Sequence, residues 1–78
     1  MYMYGTPVKV LAVFEPDKAP RPYKMKYEDQ PIVVDKIISI DDAYSFIAFE
    51  CISFNEVGSD RFELIYVKEA CQWQVKIK

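Results

Sequence analysis

The stretch Arg61-Phe62-Glu63-Leu64-Ile65-Tyr66-Val67, followed closely by Cys71-Gln72-Trp73-Gln74-Val75-Lys76-Ile77-Lys78, decides the fold. Phe62, Leu64 and Tyr66 share one parity and Arg61 and Glu63 the other; Trp73, Val75 and Ile77 then oppose Gln72, Gln74, Lys76 and Lys78. Side chains of a strand alternate between its two faces, so a period of two marks a strand with one buried and one wet face. Two such strands close together predict a small antiparallel all-β protein.

The rest of the chain supports this class. Residues 7–15 form a β-branched run with Val8, Val10 and Phe14 on one parity and Leu11 and Val13 on the other, which predicts a central strand covered on both faces. Pro16-Asp17-Lys18-Ala19-Pro20-Arg21-Pro22 cannot donate a regular ladder and reads as a turn and an extended connection. Residues 23–28 alternate cleanly, Tyr23, Met25 and Tyr27 against Lys24, Lys26 and Glu28. Over residues 32–40 the parity changes, and a bulge near Asp35-Lys36 would restore the inward set.

Residues 39–51 read two ways. Ile40, Tyr44, Ile47, Ala48 and Cys51 lie at helical spacing, and Ser39 with Asp42 imitates a capping box. Phe46, Phe49, Ile52 and Phe54 would surround such a helix on all sides. Their β-propensity favours a strand over 45–55, with a short helical turn near 41–44. Gly58 supplies the backbone freedom for the next reversal. The sum is a meander of about six strands; closing it into a small barrel, SH3-like or similar, would remove most of its open edges.

A chain of 78 residues has room for one domain over 1–78, with 1–6 as a leader, and buries only roughly 60–65% of its unfolded surface. The apolar content of 51% is enough for a compact core, yet a chain this short gains from a partner surface. Ten basic and twelve acidic residues give a net charge of −2, too near neutrality to demand nucleic acid or an anionic membrane as partner. No signal-peptide pattern and no run of about 20 apolar residues is present, and two cysteines are too few for a disulfide framework. The expectation is a soluble, cytoplasmic protein without membrane contact.

Absent residue types exclude much chemistry. Without histidine there is no Ser-His or Cys-His nucleophile pair, and with only Gly5 and Gly58 no dinucleotide fingerprint or phosphate loop can be written. Cys51 and Cys71 lack the close spacing of a zinc site, and Cys51, flanked by Phe49 and Ser53 on an apolar parity, reads as a buried thiol. Glu28-Asp29 and Asp41-Asp42 read as solvated turn residues. No catalytic, cofactor-binding or metal-ligating residues are therefore assigned, and no cofactor is expected.

Two features suggest contacts. Lys18, Arg21, Lys24 and Lys26 run among Tyr23 and Tyr27, a mixture that suits single-stranded nucleic acid. On a strand, however, the lysines and the rings occupy opposite faces, so the rings belong to the core. Tyr2 and Tyr4, in an uncharged leader ahead of the first strand, are candidates for self-association. Trp73 reads as a core anchor.

The opening Val8-Lys9-Val10 with Phe14, the middle Val34-Asp35-Lys36-Ile37 and the ending Phe62-Glu63-Leu64-Ile65-Tyr66 followed by Cys71-Gln72-Trp73 resemble a group of small uncharacterised bacterial proteins of clostridial type. The resemblance spans most of residues 7–75. It implies a free-standing single-domain bacterial protein with an extended middle region, and it carries no activity. The function expected is a non-catalytic interaction or assembly module, acting as a homo-oligomer or on a protein partner. The alternative is a small barrel that binds single-stranded nucleic acid through the basic 18–26 stretch.

Overall fold

The computed structural model describes residues 5–77 and contains seven strands: β1 Thr6–Val13, β2 Arg21–Tyr27, β3 Gln30–Val33, β4 Lys36–Asp42, β5 Phe46–Asn55, β6 Gly58–Val67 and β7 Gln72–Ile77. They form one antiparallel sheet in the order β3-β2-β1-β7-β6-β5-β4. The fold class is all-β, and there is no helix among the described residues. The two alternating stretches at the end of the sequence become β6 and β7, paired from Phe62↔Ile77 to Val67↔Gln72.

Side-chain parity sets the core. Phe62 and Leu64 of β6, Trp73 and Val75 of β7, and Ile47, Phe49 and Cys51 of β5 point into the concave face, joined by Met25 of β2. Val8 and Val10 of β1 pack against them from the side. Rings run from the rim into this interior: exposed Phe14 meets Tyr66 at 5.8 Å, Tyr66 meets Trp73 at 5.0 Å and Trp73 meets buried Phe49 at 5.7 Å between centroids. Leu64 and Phe62 are essentially solvent-free, and each such side chain contributes about 1.5–3 kcal/mol of burial. On the convex face a smaller cluster, Ala48, Ile65 and Val67 with Phe46, covers the middle of β5 and β6.

Four expectations need correction. First, there are seven strands rather than six, because 32–40 does not run through as one bulged strand. The Val34 amide donates to Tyr23 O on β2 while the Asp35 amide donates to Ile52 O on β5, both at 2.9 Å. Consecutive residues thus bond to different parts of the sheet, and the chain turns a corner between β3 and β4. The bulge lies further on, where Ile38 has no opposite residue between the pairs Ile37↔Cys51 and Ser39↔Glu50.

Second, the sheet curls into a half-barrel and does not close. Among the described residues β3 pairs only with β2 and β4 only with β5, so the sheet keeps two edges that the 34–35 corner joins without pairing. Third, the helical turn near 41–44 is absent. β4 runs to Asp42, the Ala43 amide donates to Phe46 O at 2.9 Å, and β5 begins at once. β5 buries side chains on both faces, which is why its apolar residues imitated helical spacing.

Fourth, β1 is central, between β2 and β7, but its convex face is not covered: Leu11 is 68% exposed, and Val13 is exposed too. Turn chemistry explains the hairpins. Glu28 and Asp29 both hold positive φ (50° and 62°) in the two-residue connection between β2 and β3, the mirror-image turn whose twist matches its strands. Gly58, at φ 141°, closes the β5–β6 hairpin opposite Asn55, whose Oδ1 accepts the Val57 N–H.

Candidate interaction surfaces

Because the sheet stops short of closing, a notch lies between the start of β2 and the edge of β4. Its apex is the Val34 N–H to Tyr23 O bond. Beyond it opens a cleft of about 490 Å³, floored by Phe49, Ile37 and Ile40 and bordered by Val13, Tyr23 and the 15–21 segment. Arg21 stands over the Tyr23 ring at 5.9 Å, and Lys18 is tied to Glu15 across the turn at 3.4 Å.

β4 is the longer of the two free edges, and all its residues but Ile37 are exposed. Ile38 is 41% and Ile40 56% exposed. Along its outer side the backbone groups have no strand partner among the described residues, the arrangement that accepts another strand. The other edge, β3, is four residues long and carries Pro31, which cannot donate to a ladder. Short length and proline block β3; neither blocks β4.

The four basic candidates separate. Lys18 and Arg21 line the notch, whereas Lys24 and Lys26 stand on the convex face of β2, with Met25 between them buried in the core. There they meet a residue that sequence reading passed over: Lys9 lies directly opposite Lys26, and Leu11 opposite Lys24. The pairing register was needed to find it. Tyr27 packs against the core and Tyr23 faces the notch, so neither ring shares the lysine face. Tyr2 and Tyr4, the candidates for self-association, lie outside the described residues.

Cys51 is buried, its Sγ lies 3.5 Å from Phe49 O, and burial pushes its thiol up to about 12, so it stays protonated at neutral pH. Cys71 is exposed in the β6–β7 turn, and its hydrogen bond with Tyr66, followed by burial, raises the Tyr66 hydroxyl above its ordinary range. Glu28 and Asp29 sit on an exposed turn. Asp42 pairs with Lys68 at 2.9 Å, and Asp35 Oδ2 accepts the Phe54 N–H at 2.7 Å. Among the described residues no three carboxylates or cysteines converge to hold a metal ion, and no helix is long and apolar enough to cross a membrane.

The positions carrying the bacterial resemblance at the C-terminal end, Phe62, Leu64 and Trp73, are interior residues of β6 and β7, so they describe the core rather than a site. Compared with family models, curated proteins and solved structures, the chain matches none.

Proposed function

We propose that this chain is a non-catalytic interaction module that takes up an extended protein segment along the free edge of β4. The observation that carries the reading is the unclosed sheet, whose longer described edge presents exposed Ile38 and Ile40 beside a cleft with an apolar floor and a charged rim. An added strand would satisfy the outward backbone groups of β4, and its inward side chains would meet Phe49 and Ile37. Main-chain hydrogen bonds supply affinity in this mode, and pockets for alternate side chains supply selectivity. A module of this kind calls for no cofactor. The test is an edge-blocked variant, Ile38→Lys with Ile40→Lys, whose sites are exposed enough to keep the fold. Complexes that the wild-type chain forms should be lost in the variant, with β4 amides gaining exchange protection only in the wild-type complex. Complexes that survive the double substitution refute the reading.

A second reading rests on a different observation. Lys9 lies directly opposite Lys26 on the β1–β2 convex face, with Lys24 beside them, and three cations there share their groove with the single carboxylate of Asp29. Single-stranded nucleic acid is the anion of the basic-stretch expectation, but the face lacks the rings that stack bases. Anisotropy of labelled oligo-dT should show steeply salt-dependent binding that Lys24→Glu with Lys26→Glu removes. Absence of binding at low salt ends this reading.

A further inference from the structure

The notch beside β4 is open at one end and shut at the other. Its walls, β4 and the start of β2, meet where the Val34 N–H bonds Tyr23 O at 2.9 Å. β4 runs away from that apex, from Lys36 to Asp42. A segment lying antiparallel on β4 therefore runs toward the apex and meets the 34–35 corner, where a continuing chain must leave the sheet and a chain end fits. We propose that the segment taken up on β4 is the extended C-terminus of a partner protein, its terminal carboxylate held by Arg21 and its last side chain on the floor of the cleft. This rests on the reading of β4 as a docking edge.

Charge decides which end of the partner enters. Glu15, Lys18 and Arg21 stand on the rim of the cleft. Glu15 and Lys18 pair with each other at 3.4 Å, while Arg21 pairs with no carboxylate among the described residues. Arg21 instead lies over the Tyr23 ring, 5.9 Å from its centroid, and Tyr23 is the residue whose carbonyl forms the apex. A guanidinium stacked on a ring keeps its N–H fork open to a carboxylate, which it binds through two parallel hydrogen bonds. A terminal amine, brought to the same place by a parallel segment, would be repelled. The cation thus selects the antiparallel direction, in which the carboxylate end leads.

The edge supplies the remaining contacts. The Ala43 amide bonds Phe46 O on β5, and bonded and unbonded pairs alternate along an antiparallel ladder, so the backbone groups of Asp42 and Ile40 face outward to an incoming strand. Ile40 and Ile37, opposite Phe49 and Cys51, carry their side chains on the concave side, where the cleft lies. Alternate residues of an extended segment share a face, so a register that places the last side chain over this floor places the third-last there too. Apolar residues suit both positions, and a cleft of about 490 Å³ accommodates the pair.

Peptide pools test the end group. Two pools of octapeptides, random except for Val, Ile, Leu or Phe at the last and third-last positions, differ only in a free or an amidated C-terminus. The free pool should yield binders by affinity selection, and amidating a selected peptide should weaken it about tenfold or more in fluorescence anisotropy. Arg21→Gln should weaken the free peptide by a similar factor and leave the amidated one unchanged, a coupling that a structural role for Arg21 would not produce. Arg21→Lys should restore part of the loss. The inference is overturned if free and amidated peptides bind alike, if Arg21→Gln weakens both equally, or if the free pool gives no binder. In the first two cases, loss of the peptides in the Ile38→Lys, Ile40→Lys double variant leaves β4 as the docking edge and removes only the carboxylate; peptides that survive that variant remove both. If no peptide binds, protein complexes lost in the same variant still uphold β4.

Discussion

Gly5 is the position where adding a single carbon tests the packing of the first strand. Its amide donates to Gln74 Oε1 at 2.9 Å, and an added Cβ would lie 2.3 Å from Val75 O and 2.8 Å from Val75 C. Both are backbone atoms of β7, fixed between β1 and β6, so no side chain can swing aside. Ordinary contact begins near 3.4 Å, and the chain at residue 5 must withdraw by the difference, about 1.1 Å. Overpacking against fixed backbone costs about 1–3 kcal/mol, and the Gly5–Gln74 bond weakened by the withdrawal is worth about 0.5–1.5 kcal/mol. Withdrawal relieves overlap as it loosens the bond, so the two do not add fully, and Gly5→Ala should cost about 1–3 kcal/mol. A domain of this size has roughly 4–12 kcal/mol in all, and each kcal/mol shifts Tm by about 4–8 °C. Urea titration with thermal melts should show a lower midpoint with an unchanged m-value, while Thr6→Ala, on an exposed side chain, stays within about 0.5 kcal/mol. A loss below about 0.5 kcal/mol for Gly5→Ala would refute the close approach of residue 5 to β7.

Further outcomes follow from the thiols and turns. Cys51 holds its proton to about 12 in the fold against 9.0 in the open chain, so between these values the unfolded state binds fewer protons and stability falls as pH rises. The slope from this one group approaches about 1.4 kcal/mol per pH unit, and Cys51→Ala should remove it when the two pH profiles are subtracted. In the native protein a thiol reagent should modify Cys71 quickly and Cys51 only on unfolding; fast reaction at both would place Cys51 outside the core. Asp29→Gly, at φ 62°, should stabilise the β2–β3 hairpin by about 0.5–1 kcal/mol in chemical denaturation, because the left-handed backbone no longer strains a Cβ.

What the sequence discloses here is parity. Phe62, Leu64, Trp73 and Val75 alternate because each lies in a strand with one face on the core, and that signal is local. The corner at Val34-Asp35 is not local: it exists because two adjacent amides find carbonyls on β2 and β5, strands far apart in the sheet order. The same residues in a continuous bulged strand would read identically along the chain. Closure is the expectation because a closed sheet has no open edges, but the sheet keeps two, and Leu11, Ile38 and Ile40 face solvent. Their exposure is where the candidate edge and face lie. Lys24 and Lys26 were legible as a shared face; Lys9 joined them only through the β1–β2 register.

The half-barrel is tested most directly by NMR of the free protein. Amides that face outward along β4 should exchange rapidly while those bonded to β5 are protected, and residues 21–23 should show no cross-strand NOEs to residues 37–40. A continuous ladder of NOEs from β2 to β4, with every β4 amide protected, would mean a closed barrel and would contradict the account.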